Sequence, residues 1–290
     1  MPDTKTTPIA VIGGSGVYQF PGLSDAEEVK ITTPFGDPSD AIRVGSCGDR
    51  RVAFLPRHGR NHTFSPAYLP HRANIYALKS LGVRWIISLS AVGSLKEAYK
   101  PRDFVFPLQF FDRTKNSANH TFFDTGIVAH VSFGHPVCER LATILYQAAS
   151  SAGAECHWGG TYVNMEGPAF STRAESEFHR SQEFDVVGMT NLAEAKLARE
   201  AEISYATVAM ITDYDCWHEE EAEVNVNDVV SVLHDNAATA TETVKRALSL
   251  IPLGETTAPQ KALQTAFATP REHWDEEKCK SLRPIIEKYL

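Results

Sequence analysis

The sequence predicts an α/β fold in which a layered sheet alternates with helices. Three observations carry this. Short apolar, often β-branched runs recur along the chain, and near-continuous runs of that kind suit strands buried on both faces of a sheet. Stretches with helical start and stop signals lie between them. The chain of 290 residues, 43% hydrophobic and 22% charged, is long enough for a sizeable core in one large domain or two small ones.

Five strands are predicted, each ending abruptly in polar residues. Ile9-Ala10-Val11-Ile12 ends in Gly13-Gly14-Ser15-Gly16, and Val52-Ala53-Phe54-Leu55 ends in Pro56-Arg57-His58-Gly59-Arg60. Trp85-Ile86-Ile87-Ser88-Leu89 ends in Ser90-Ala91-Val92-Gly93-Ser94. Asp185-Val186-Val187 ends in Gly188-Met189-Thr190-Asn191, and Tyr205 to Ile211 ends in Thr212-Asp213-Tyr214-Asp215. Helices are expected from Pro66 to Leu81, stopped by Gly82, and from about Pro136 to Ala152, stopped by Gly153. Thr172-Arg173-Ala174-Glu175 has capping-box spacing and opens another. The alanine-rich stretch Leu192 to Ala201 is a fourth, and Asn227 or Asp228 caps a fifth that reaches about Leu250. In α/β sheets ligands gather at the carboxyl ends of strands, so the five polar ends are expected to converge on one site.

The net charge of -8 excludes a general electrostatic footprint for nucleic acid, though not a local anion site. No apolar stretch approaches the roughly 20 residues that span a bilayer. The polar segment Met1 to Thr7 lacks the features of a signal peptide. The five cysteines show no CxxC or CxC spacing, and their odd number fits reduced thiols in a cytoplasmic protein.

The loop Gly13-Gly14-Ser15-Gly16 lets backbone N–H groups approach a phosphate, but it lacks the third glycine of a dinucleotide fingerprint, and a plain tight turn fits it as well. Arg57-His58-Gly59-Arg60 brings cations into an acidic chain. Arginine offers a planar fork matched to phosphate oxygens, although a basic surface loop has the same composition. Hydroxyls of Ser15, Ser90 and Thr190 complete a plausible cradle for free phosphate or a phosphate ester. Asp213 and Asp215, two apart in extended backbone, point to one side. Such a pair binds a metal, works as acid and base, or reads hydrogen-bond donors. A metal wants more oxygen or imidazole ligands than the sequence places nearby, so none is expected. The run Glu219 to Glu221 reads as a solvated loop, while Met189 and His130 carry no signal from spacing alone.

Taken together, these segments resemble the 5'-methylthioadenosine phosphorylase branch of the trimeric purine nucleoside phosphorylases. The matching pieces are Ile12-Gly13-Gly14-Ser15-Gly16, Thr33-Pro34-Phe35-Gly36, Arg57-His58-Gly59-Arg60, Glu166-Gly167-Pro168, Phe170-Ser171, Met189-Thr190 and Thr212-Asp213-Tyr214-Asp215-Cys216-Trp217. They run in order through residues 8 to 250. The resemblance implies a single-domain phosphorylase fold over residues 1–268 with a central mixed sheet flanked by helices, assembled as a homotrimer with sites near subunit interfaces. It implies phosphate, as co-substrate with no cofactor, at Ser15, Arg57, His58, Ser90, Ala91 and Thr190. It implies the nucleoside at Phe170, Met189, Thr212, Asp213, Tyr214 and Asp215, and substrate choice at Ser171, Val226, Val229 and, from a neighbouring subunit, His130. Ser15 and Ser90 stand where family members often carry Thr, with the hydroxyl retained. Residues 269–290 do not match and are expected to form a C-terminal extension, with a packed or subunit-contacting helix over Ser281 to Leu290.

The implied reaction is phosphorolysis of 5'-methylthioadenosine, with Asp213 protonating N7 and Asp215 accepting from the 6-amino group. The competing readings are a phosphorylase for 6-oxopurine nucleosides or methylthioinosine, a hydrolase that uses water, and a non-catalytic nucleoside- or phosphate-binding protein.

Overall fold

A computed structural model describes residues 6–218 and 225–290. The expected loop at Glu219 to Glu221 lies outside the described residues. In chain order the strands are β1 (Ile9–Gly13), β2 (Ser24–Val29), β3 (Ile42–Cys47), β4 (Arg50–Pro56), β5 (Trp85–Ser94), β6 (Phe104–Phe106), β7 (Gln109–Arg113), β8 (Cys156–Trp158), β9 (Thr161–Met165), β10 (Val186–Gly188) and β11 (Ser204–Asp213). The helices are α1 (His71–Ser80), α2 (Glu139–Ser151), α3 (Arg173–Ser181), α4 (Asn191–Glu200), α5 (Val226–Leu250), α6 (Glu276–Ser281) and α7 (Arg283–Ile286).

The strands form one mixed sheet, as the α/β reading with a central mixed sheet requires. Alternate residues of β1 feed opposite layers. Ile9 and Val11 join a core with side chains of α2 and α5, whereas Ala10 and Ile12 join one with α1, α4 and the tail. All five predicted strands are present, as β1, β4, β5, β10 and β11.

Several boundaries move for local reasons. The stretch expected as one helix from Pro66 splits into a 3-10 turn, Pro66–Tyr68, and α1. Pro70 lacks an N–H and disfavours helical backbone at the residue before it, and Leu69 is extended. Gly82 ends α1 at a φ of 86°, as expected of a left-handed cap. The capping box at Thr172 forms in full. The cap of α5 is Asn225, whose side chain accepts from the Asp228 N–H, rather than Asn227 or Asp228. The helix expected over Ser281 to Leu290 is broken into α7 and a 3-10 turn, Glu287–Tyr289, with Pro284 in the first turn of α7.

The topology opens a gap in the middle of the sheet. One edge of β5 is occupied by parallel β11 along nearly its whole length. The other edge is shared: β1 pairs with Trp85 to Ser88, and antiparallel β10 pairs with Gly93 and Ser94. Between these partners lie Leu89 to Val92, which is where strand order changes and ligands are expected.

Candidate active site

A cleft of about 640 Å³ opens at this gap. It collects the carboxyl ends of β1, β4, β5, β10 and β11, the segment around Phe170, and the first turns of α5. Ser15, Arg57, His58, Ser90, Ala91, Phe170, Met189, Thr190, Thr212, Asp213, Asp215, Val226 and Val229 all line it. Tyr18, His62, Met165 and Val230 line it as well, and none of them was singled out from the sequence as a site residue.

Three expected residues lie outside this chain's own cleft, one of them, His130, having been expected only from a neighbouring subunit. Tyr214 packs edge-on to Trp217 in a small core beneath the site, and its hydroxyl donates to the Glu97 carbonyl at 3.4 Å. Ser171 stands behind Asp215, beside the carboxylate rather than in the cleft. His130 is exposed outside the cleft, with its backbone N–H donating to Ala266 at 2.8 Å.

At one end of the cleft are the two carboxylates. Their common orientation does not come from extended backbone, because β11 stops at Asp213 and Asp215 sits in a turn at a φ of 53°. The turn is held by Asp213 itself, whose Oδ1 accepts from the Asp215 N–H at 2.8 Å, and by Trp217, whose indole donates to Ser94 at 2.7 Å beneath the Arg180 guanidinium. Asp213 Oδ2 accepts from the Thr212 hydroxyl at 2.7 Å. That hydroxyl has a second acceptor, the Val92 carbonyl at 3.3 Å, so it can turn away when Asp213 takes up a proton. Burial pushes the Asp213 carboxyl up to about 6 against the pull of these two donors. Burial also raises Asp215, against the neighbouring Ser176 and Ser171 hydroxyls. Among the described residues, Asp215 Oδ2 is buried with no donor inside hydrogen-bond range, although the Ser176 and Ser171 hydroxyls lie against the carboxylate. A buried acceptor left unpaired is costly, and the Ser176 hydroxyl, itself buried without a partner, is the donor beside this carboxylate.

At the other end are the groups expected to hold phosphate. Gly14 packs so closely that a Cβ there would lie 2.5 Å from the Leu89 carbonyl and 2.7 Å from the Arg57 guanidinium. The glycine loop is therefore more than a turn, since it lets β1 and Arg57 meet under Ser15. The Arg57-His58-Gly59-Arg60 motif divides. Arg60 turns outward to Asp40 and Glu28, while Arg57 is buried. The His58 Nδ1 donates to the Phe64 carbonyl at 2.8 Å, so its Nε2 is an acceptor. Burial, with the Arg57 charge adding to it, lowers His58 to about 4 and keeps it neutral. Thr190 closes the cradle at the N-terminus of α4, where a helix favours an anion.

Beneath Arg57 is a polar network that the sequence did not reveal. Its Nε and one terminal nitrogen form a fork onto Glu194 at 2.5 and 3.1 Å, and Glu194 also accepts from Ser88 and Tyr205. The arginine fork expected for phosphate is thus already occupied by a carboxylate. The one available signal was a lone Glu in the alanine-rich first turns of α4.

The switch point of the mixed sheet brings the residues expected to hold phosphate opposite the carboxylate pair, and the chain belongs to the phosphorylase superfamily, whose model matches residues 8–249. It is 53% identical to the S-methyl-5'-thioadenosine phosphorylase of Koribacter versatilis, over 97% of this chain and 96% of that one. It is equally identical to the enzyme of the same name from Chloroflexus aurantiacus, over 97% and 98%. Among solved structures it superposes with a TM-score of 0.91 on a methylthioadenosine phosphorylase from an antarctic soil metagenomic library, 47% identical, covering 97% of this chain and 99% of that one. The methylthioadenosine phosphorylase of Schistosoma mansoni in complex with adenine gives a TM-score of 0.86 at 34% identity, covering 91% and 99%.

Proposed function

We propose that this chain catalyses the phosphorolysis of 5'-methylthioadenosine, giving adenine and 5-methylthioribose 1-phosphate for purine and methionine salvage. The observation that carries the reading is the contrast between two neighbouring carboxylates. Asp213 is raised to about 6 with both oxygens engaged by the protein, and Asp215 lines the cleft beside it. The first is suited to hand a proton to N7, and the second to accept from a 6-amino group.

An oxygen of inorganic phosphate, held by Ser15, Arg57, His58, Ser90, Ala91 and Thr190, forms the new bond to C1'. The C1'–N9 pair leaves with the purine, and the Asp213 proton goes to N7. Positive charge on the sugar and negative charge on the base develop together, so the phosphate and Asp213 each act where charge appears. Phe170 and Met189 border the sugar and base. A 6-oxopurine would set its O6 against Asp215, acceptor to acceptor, which costs on the order of 1–3 kcal/mol per unpaired group. Val226, Val229 and Val230 offer an apolar wall to a methylthio group. No cofactor, metal, nucleic acid or membrane takes part in this reading.

We further place the enzyme in the cytoplasm as a homotrimer. Val226 is 64% exposed and Phe170 44% exposed in the single chain, and in this assembly His130 of a neighbouring copy approaches the 5' group. Light scattering of the purified protein reads the trimer directly.

The deciding experiment measures turnover of methylthioadenosine, adenosine, methylthioinosine and inosine with and without phosphate. Methylthioadenosine should be the best substrate and turnover should require phosphate. Preference for the 6-oxo pair would favour the rival phosphorylase, and turnover in water alone would favour a hydrolase.

A further inference from the structure

Arg57 has five N–H donors, and four hydrogen bonds to the protein are in place: two to Glu194, one to Ser88 at 2.6 Å and one to the Leu89 carbonyl at 2.9 Å. Glu194 is 2% exposed and receives Arg57, Ser88 and Tyr205 together. Ser88 is in turn fixed by Asn191, which also donates to Tyr205 and Thr207. The guanidinium therefore has about one donor left for a ligand, and its charge is matched by a carboxylate at contact. Two imidazoles close enough to feel the Arg57 charge, His58 in the cleft and His71 outside it, are held neutral by burial, at about 4 and about 3. The cradle offers phosphate many hydrogen-bond partners but little net positive charge.

We propose that Glu194 is a positioning residue that cancels the Arg57 charge, so that bound phosphate keeps its own negative charge for the sugar cation. This rests on the phosphorolytic reading. An unpaired cation at Arg57 would bind the phosphate dianion more tightly before reaction. It would also compete with the sugar for that dianion's charge at the transition state. Only interactions that strengthen in the transition state raise the rate, so tighter ground-state binding of this kind lowers KM and lowers kcat together. Glu194 also fixes the plane of the guanidinium, but a merely structural support predicts the opposite split, with weaker phosphate binding once it is removed.

The test is Glu194→Gln, which keeps an acceptor for the Arg57 Nε and removes the charge. With saturating nucleoside, KM for phosphate should fall about 3- to 10-fold and kcat should fall about 10-fold or more. Glu194→Asp keeps the charge but draws it back from the guanidinium. It should move both constants the same way by less, and it stays informative where the Gln variant does not fold. Tyr205→Phe removes a neutral donor from the same carboxylate and should not lower KM for phosphate. A rise in phosphate KM in the Gln and Asp variants overturns the proposal, as does an unchanged kcat. If the unmodified enzyme turns over without phosphate, the phosphorolytic reading itself fails, and that outcome is distinct from either result for Glu194.

Discussion

Asp213 and Asp215 lie two residues apart, yet what surrounds their oxygens separates them. Asp213 has both oxygens engaged by Thr212 and by the Asp215 N–H, whereas Asp215 is backed by the Ser176 and Ser171 hydroxyls. Asp213→Asn tests the first role in two ways. Losing a positioned proton donor should reduce kcat on methylthioadenosine about 10²- to 10⁴-fold, with the ratio of inosine to methylthioadenosine turnover rising. The same substitution should stabilise the fold at alkaline pH. The Asp213 carboxyl rises from 3.8 to about 6 on folding, so between these values the native state binds more protons than the unfolded chain. Its contribution is therefore full below about pH 4 and is lost as pH rises through about 6. Asn carries no such penalty, and it can accept from the Asp215 N–H while Thr212 turns to the Val92 carbonyl. The variant should match the parent near pH 4 and exceed it at pH 8 by roughly 1–2 kcal/mol, since the carboxyl still opens onto the cleft. Thermal melts at the two pH values read the difference, and equal shifts at both would remove the burial argument. At this scale the sequence announced the carboxylates, the glycine loop and Arg57 through their positions after apolar runs. It hid Glu194, because a single acidic residue in a helix looks like a solvated face until the fold buries it.

Strand β5 does the most to build the site, because its two edges are shared among three partners. Its register with β11 sets Gly93 opposite Asp213. A Cβ at Gly93 would lie 2.9 Å from Asp213 Oδ1, 3.2 Å from Val187 and 3.3 Å from the Asp215 Cβ. Gly93→Ala should therefore displace the carboxylates rather than break the strand. The expected result is a loss of about 10-fold or more in kcat/KM with the far-ultraviolet circular dichroism unchanged. Full activity in the alanine variant would mean that the carboxylates have slack the packing does not suggest. The elements legible in the sequence were those buried on both faces, and β1 and β11 are apolar almost throughout. Strand β2, Ser24-Asp25-Ala26-Glu27-Glu28-Val29, is mostly exposed at the sheet edge and has no apolar period to read. Strands β6 and β8 are three residues each and went unread, whereas β10, equally short, was marked by the polar residues that follow it. The hairpin from β3 to β4 did carry a signal, Gly48-Asp49 between two β-rich runs, with Gly48 at a φ of 60°.

Across the whole molecule, the residues beyond 268 carry no motif, yet they close one layer of the core. Leu282, Ile285 and Ile286 are buried among Ile75, Leu78 and Leu197, on the face opposite α2 and α5. Tyr76 donates to the Ser281 carbonyl at 2.8 Å, and the Tyr289 hydroxyl donates to Glu202 at 2.7 Å. Lys288 pairs with the same carboxylate, and Glu202 is only 3% exposed. Burying each of the three aliphatic side chains contributes about 1.5–3 kcal/mol, so together they approach the whole stability of an ordinary domain, about 5–15 kcal/mol. Deleting the tail also strips two partners from a buried carboxylate, which is strongly destabilising in its own right. Removal of residues 270–290 should therefore give a chain that aggregates or melts far below the parent. Ile286→Ala, which leaves the Glu202 contacts in place, should cost about 2–5 kcal/mol. Because none of these residues reaches the cleft, the Ile286→Ala enzyme should keep its kcat at temperatures where it stays folded. A truncated chain with an unchanged melting temperature would show that the tail only rests on the molecule.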